Sequence, residues 1–273
     1  MFITRTISGA ILLLIMCTTI VLGSEVWLAA TVVLSFIAMY EMLRVFNLHK
    51  TLIAVAAYIC NAGLYTFLFF GLNEYLLSVM IICFILFMAI YVILWPKYTV
   101  SDISKAVFTF IYTGFCMSFL YQTRMLDNGI FYIWLVFIGA WGSDTCAYLT
   151  GILIGKHKLP STLSPKKTIE GCLGGIVGAG VLGGLYGAWA NKEMTGNVNY
   201  IIIFAIAGAV ASVLSQIGDL CASAVKRNCE IKDYGKLIPG HGGIMDRFDS
   251  IVFLNPIIYY MLFILGNIGW ISI

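Results

Sequence analysis

Asp144 stands inside an apolar run, between Trp141-Gly142-Ser143 and Thr145-Cys146-Ala147-Tyr148. An ionised group at mid-membrane depth costs about 2.5–3.5 kcal/mol on insertion scales, so such a residue faces water or a partner. Asp144, Tyr148, Gly151 and Gly155 recur at helical spacing and form one polar or small stripe on a single face. A packing seam with one satisfied aspartate would show the same stripe; a face lining a site is the reading taken. Asp219, Ser223 and Lys226 also share a helix face, which aims an anion, a hydroxyl and a cation into one volume. A cationic last helical turn complementing the dipole would account for Lys226 and Arg227, but not for Asp219.

The chain then runs through Lys232-Asp233-Tyr234-Gly235-Lys236, Pro239-Gly240-His241-Gly242-Gly243 and Asp246-Arg247-Phe248-Asp249-Ser250. Three glycines and a proline within five residues make a tight loop whose backbone N–H groups can approach phosphate closely. Cations at Lys232, Lys236 and Arg247 would neutralise phosphate. Separated carboxylates at Asp246 and Asp249 suit a hard divalent ion that bridges phosphate oxygens. Asp249-Ser250 also fits a simple N-cap of a following helix.

A third polar element holds Gly155-Lys156-His157-Lys158 and then Ser164-Pro165-Lys166-Lys167-Thr168-Ile169-Glu170-Gly171. Its four lysines fit two readings equally: charges that set membrane topology, or a site for an anionic headgroup or nucleotide phosphate. A Ser or Thr here, with Glu170, also fits a helix cap.

The elements that must position these groups are membrane helices. Of the 273 residues, 61% are hydrophobic and 11% charged, and the mean hydropathy is +0.96. Soluble domains average about 25% charged residues. That excludes an ordinary soluble enzyme, a disordered chain and a nucleic-acid binder. Apolar runs fall at roughly 6–22, 26–44, 51–71, 75–95, 105–122, 130–154, 172–190, 199–220 and 251–271. The expected fold is an all-α, polytopic integral membrane protein of about nine transmembrane helices. With the N-terminus cytoplasmic, 14 of the 16 Lys and Arg residues fall inside, and only Arg124 and Lys192 outside. That asymmetry sets the orientation by the positive-inside rule.

Residues 1–128 read as scaffold helices with no cluster of reactive side chains, and 129–273 as the catalytic region. Residues 219–249 alone carry 10 of the 29 charged residues. The eight cysteines include no C-x-x-C pair and read as small apolar side chains.

Ser223-Ala224-Val225-Lys226-Arg227, Lys232-Asp233 and the run Ile238-Pro239-Gly240-His241-Gly242-Gly243-Ile244-Met245-Asp246-Arg247-Phe248-Asp249 closely resemble the signature of the phosphatidate cytidylyltransferase, or CDP-diacylglycerol synthase, family. The stretch from Asp144 through Gly171 is similar to that family as well. The resemblance implies transfer of CMP from CTP to phosphatidate, giving CDP-diacylglycerol and pyrophosphate for phospholipid synthesis. It also implies a Mg²⁺-dependent site, with a second, monovalent ion such as K⁺, facing the cytoplasm of a bacterial plasma membrane, and a homodimer.

On that footing the expected metal ligands are Asp219 and Asp246, with Asp144 as a third or supporting carboxylate. Ser223 and Lys226 join them in the catalytic set. The expected substrate-binding groups are Lys166, Lys167, Arg227, Lys232, His241 and Arg247, helped by the Gly242-Gly243 backbone. A kinase or transferase acting on another lipid through CTP would keep a similar site. A secondary transporter would more often show paired broken helices in two matching halves, which this lopsided charge distribution does not suggest.

Overall fold

In lipid every backbone polar group must find its partner within the protein, which leaves helices as the way for such apolar runs to cross. The computed structural model describes residues 2–159, 163–194 and 198–271, with side chains from residue 6 onward. Arg5, one of the charges counted above, lies outside the described side chains. Eight helical stretches are long and apolar enough to span a membrane, and Thr6–Leu22 is a shorter apolar helix. Together they coincide with the nine runs read from the sequence, and the described residues contain no strand beyond isolated bridges.

Two compact units divide the chain. The first gathers the residues up to Tyr121 together with Cys229–Arg247; the second gathers Gln122–Asn228 and the chain from Phe248 on. These are packing bodies. The division at 128 into scaffold and catalytic parts is a statement about function.

The first unit contains α1 (Phe2–Leu22), α2 (Ser24–Val45), α3 (Leu52–Phe69), α4 (Leu76–Ile93) and α5 (Val100–Thr109). A π-helical turn, Phe110–Phe115, then leads into α6 (Cys116–Arg124), whose last three residues belong to the second unit. Gly23, at φ +100°, separates α1 from α2 with one left-handed residue. Thr51 caps α3 by accepting from the Ala54 N–H, and Thr99 with Asp102 forms a reciprocal capping box at α5. Several of the polar groups inside are paired. Ser35 Oγ donates to the Thr113 carbonyl at 2.8 Å, in the π-helical turn, where the regular ladder is interrupted. The Trp27 indole donates to the Leu120 carbonyl at 2.9 Å.

The second unit contains α7 (Gly129–Phe137), a second π-helical turn (Ile138–Gly142) and α8 (Ser143–Ile154), which together make one span. It continues with α9 (Ile169–Glu193), α10 (Tyr200–Asn228) and α11, which runs Met245–Asn267 and has its first three residues in the first unit. Buried Gly171, Gly175, Ala179, Gly183 and Gly187 recur every fourth residue along α9. A Cβ at Gly183 would collide with the Phe204 carbonyl of α10, and one at Gly174 with Thr150 of α8. Small residues let helix backbones approach where lipid supplies no hydrophobic drive for association.

α10 continues about two turns past the apolar run, so Asp219, Ser223, Lys226 and Arg227 are all helical, as their expected common helix face requires. One boundary differs from expectation. α11 begins at Met245, so Asp246 and Arg247 lie in its first turn. Asp249 is therefore inside the helix, and the reading of Asp249-Ser250 as its N-cap is corrected. The sequence did not reveal this start because a polar first turn at a membrane surface needs no apolar run.

Candidate active site

The second unit builds a cavity of about 360 Å³ against α8. Asp144, Tyr148 and Gly151 line it from the stripe noted above; Lys166 and Lys167 line it from the loop before α9, and Gln216 from α10. The second π-helical turn ends immediately before Ser143-Asp144. Ser143 is anchored by a 2.6 Å contact of its Oγ with Ser212 Oγ on α10. Gln216 donates to the Cys172 carbonyl at 3.1 Å, which ties α10 to the start of α9.

The lysine loop is held at both ends. Leu159 N–H donates to the Lys167 carbonyl, and Ile169 N–H to the His157 carbonyl. Thr168 caps α9 by accepting from Gly171 N–H at 3.1 Å, as a cap at this position was expected to do. Glu170 turns back to accept from His157 N–H and to meet His157 Nδ1 at 2.5 Å. Lys167 is thereby set against α10, with its Nζ 2.6 Å from Asp219 Oδ2. Farther along, Lys226 Nζ stands 3.9 Å from Asp249 Oδ2. Ser223 is half-buried between these two ion pairs in sequence, and Arg227 is exposed at the end of α10.

The first unit holds the glycine-rich segment. Gly240 and Gly242 have φ of +78° and +88°, the left-handed conformation that lets the chain reverse so tightly. Ile238 N–H donates to the Gly242 carbonyl, and His241 N–H to the Ile238 carbonyl. His241 Nδ1 is 2.8 Å from Ser8 Oγ on α1, and that hydroxyl is also 3.0 Å from the Pro239 carbonyl. Lys232 and Arg247 are exposed.

Asp246 is buried, and its Oδ2 accepts from the backbone N–H groups of Tyr234 (2.8 Å), Gly235 (3.3 Å) and Gly243 (3.0 Å). One carboxylate oxygen thus pulls the two ends of the loop together. It also takes the Gly243 N–H that sequence reasoning had assigned to phosphate. A further carboxylate was missed altogether. Glu41 of α2, 3% exposed, accepts from Ile244 N–H and Met245 N–H. It lies in residues 1–128, read from the sequence as scaffold with no cluster of reactive side chains, and the rule applied to Asp144 holds for it too: an acid in an apolar run has a partner.

The sequence-expected residues thus fall into two groups. Asp144, Lys166, Lys167, Asp219, Ser223, Lys226 and Arg227 belong to the second unit, and Lys232, His241, Gly242, Gly243, Asp246 and Arg247 to the first. Among the described residues there is no cluster of three or more His, Cys, Asp or Glu able to hold a metal by themselves. Hard carboxylate oxygens at Asp144 and Asp219 still suit Mg²⁺, which commonly takes one or two protein carboxylates and completes its shell with water and substrate phosphates. Asp219 Oδ2 already has a cation against it in the Lys167 ammonium.

A polytopic helical membrane protein with a cavity lined by acid and lysine, and a glycine loop organised by buried carboxylates, has the equipment to handle phosphorylated substrates. Residues 3–265 match the cytidylyltransferase family. Similar proteins include the phosphatidate cytidylyltransferase of Bacillus subtilis (strain 168), 31% identical over 94% of this chain and 96% of its own length. That of Staphylococcus saprophyticus is 29% identical over 94% and 98%. That of Staphylococcus aureus (strain COL) is 38% identical over 61% of each chain. The chain belongs to the cytidylyltransferase family.

Proposed function

We propose that this protein is a phosphatidate cytidylyltransferase. The observation that carries the reading is the family match across nearly the whole chain, with relatives of that name aligned end to end. A phosphate oxygen of phosphatidate attacks the α-phosphorus of CTP. The bond from that phosphorus to the bridging oxygen breaks, and pyrophosphate leaves, giving CDP-diacylglycerol. The nucleophile is already an anion near neutral pH, so no strong base is needed. The difficulty is to bring two polyanions together and to stabilise the leaving pyrophosphate, which calls for fixed cations and oriented dipoles.

Lys166 and Lys167 on the cavity wall are assigned to substrate phosphate, with Lys226, Arg227, Lys232 and Arg247 as further phosphate partners and Ser223 as a hydroxyl donor. Asp219 and Asp144 would hold Mg²⁺, which when bound neutralises phosphate oxygens and charge on the leaving group. Asp246 as a further ligand rests on its carboxylate beside the glycine loop and on the family resemblance; His241 as a substrate contact and a second ion such as K⁺ rest on the resemblance alone. A lipid substrate accounts for a nucleotide-using enzyme built of membrane helices. The proposed setting is a bacterial plasma membrane with the N-terminus and the site on the cytoplasmic side, and the proposed assembly is a homodimer. The region 129–273 is proposed to carry the chemistry on a scaffold of 1–128.

Purified protein given CTP and Mg²⁺ with either phosphatidate or a polyprenol tests the reading. CDP-diacylglycerol with equimolar pyrophosphate is expected from phosphatidate alone. Turnover only with the polyprenol would contradict the assignment.

A further inference from the structure

Glu41 is a carboxylate that the proposed chemistry does not use, yet it is buried within α2 at the level of the glycine loop's backbone. Burying a charge is costly unless hydrogen bonds compensate it. Both of its oxygens are engaged: Ile244 N–H donates to one at 3.2 Å, and Met245 N–H to the other at 2.9 Å. These are the leading N–H groups of α11, the kind of donor that has no partner within its own helix. Three residues further along α2, on the same helix face, Arg44 Nη2 donates to the Tyr234 carbonyl at 2.8 Å. One face of α2 therefore grips the loop at its entry, Tyr234, and at its exit, Ile244-Met245. Asp246 joins the same two ends from inside.

The glycines report the same grip. A Cβ placed on Gly243 would have the Glu41 carboxylate atoms as its three nearest neighbours, all at colliding distance. Gly243 does not adopt a positive φ, so what bars a side chain there is Glu41 rather than backbone conformation. At Gly235 the nearest atoms are again those of the Glu41 carboxylate. Two of the loop's glycines thus make room for a carboxylate of α2.

We propose that Glu41 is a positioning residue for the reaction, locking residues 234–245 in the arrangement that turnover requires, with Arg44 as its counterpart. This rests on reading the chain as a cytidylyltransferase whose glycine loop serves catalysis. Glu41→Gln keeps the shape but sets an NH₂ donor against a backbone N–H donor.

The test compares wild type, Glu41→Gln, Glu41→Asp, Glu41→Ala, Gly243→Ala and the Glu41→Ala/Gly243→Ala pair, purified in nanodiscs. Amide hydrogen exchange and turnover per folded molecule are both measured. Glu41→Gln should speed exchange across 234–247 while leaving α9 unchanged. It should lower kcat about 10- to 100-fold, the range expected for lost charge-assisted hydrogen bonds, with Glu41→Asp restoring part of the loss. Gly243→Ala should loosen the loop strongly in wild type and add less than about twofold once Glu41→Ala has cleared the space.

Wild-type exchange across 234–247 in Glu41→Gln would overturn the proposal. So would a Gly243→Ala penalty, read by exchange, that is equal in both backgrounds. So would accelerated exchange with unchanged kcat, which would leave Glu41 structural only. A wild-type protein with no cytidylyl transfer would instead sink the functional reading, while the exchange comparison still reports whether Glu41 holds the loop.

Discussion

Lys167 and Asp219 meet at 2.6 Å, joining the loop before α9 to α10 beside the cavity that Asp144 lines. Both side chains are about a quarter exposed. Ion pairs screened to that degree contribute about 0–1 kcal/mol to stability, so the pair is better explained by what it prepares than by what it holds together. Lys167→Gln should leave the thermal midpoint nearly unchanged. It should raise the KM for a phosphate-bearing substrate or lower kcat, as measured by steady-state kinetics on well-inserted protein. Wild-type kinetics would return Lys167 to a purely topological role.

Asp219→Asn removes an anion while keeping size and hydrogen-bonding capacity. If Asp219 holds Mg²⁺, turnover should fall by roughly 10²-fold or more, since each 1.36 kcal/mol lost from the transition state is tenfold. The Mg²⁺ concentration for half-maximal activity should rise with it. A metal titration that superimposes on that of wild type would remove Asp219 from the ligand set.

Asp246→Asn should behave differently. Its Oδ2 serves three backbone N–H groups, and an amide oxygen accepts less strongly than a carboxylate. Limited proteolysis within 234–243 should therefore quicken in Asp246→Asn and remain unchanged in Asp219→Asn. Equal resistance in all three proteins would show that the carboxylate is not what closes the loop.

The α9–α10 contact can be checked with alanine alone. Gly183→Ala places a Cβ against the Phe204 carbonyl, whereas at Gly180 the nearest atom is 3.4 Å away. Overpacking typically costs about 1–3 kcal/mol, so Gly183→Ala should lower the melting temperature of the purified protein and Gly180→Ala should not. Equal midpoints would mean that the two helices separate without cost.

Orientation is open to direct chemistry. Single cysteines at positions 166 and 236, in a background without the eight native cysteines, should react with an impermeant maleimide only after the membrane is opened. Labelling of either in intact cells would reverse the assigned topology.

Much of this fold was legible because membrane spans are long apolar runs, and all nine reappear as helices. The stripe from Asp144 to Gly151 was legible too, since helical spacing alone puts those residues on one face. The Glu41 grip was not. Its partners are backbone N–H groups some two hundred residues away, and backbone donors carry no residue-type signal. The start of α11 at Met245 was hidden by its polar first turn, and the π-helical turn before Asp144 has no composition that marks it. Gly235 and Gly243 were visible as glycines. The sequence suggested phosphate as the reason for Gly243, whereas its Cβ position faces Glu41 and its N–H is already given to Asp246.

The most direct measurement follows one phosphorus atom. Purified protein is supplied with phosphatidate, Mg²⁺ and CTP labelled at either the α- or the γ-phosphate, and the lipid fraction is counted. Cytidylyl transfer puts α-label into lipid and γ-label into released pyrophosphate, with both lost together in Asp219→Asn. Label from the γ-position in the lipid would mean phosphoryl transfer by a kinase, and would contradict the assigned reaction outright.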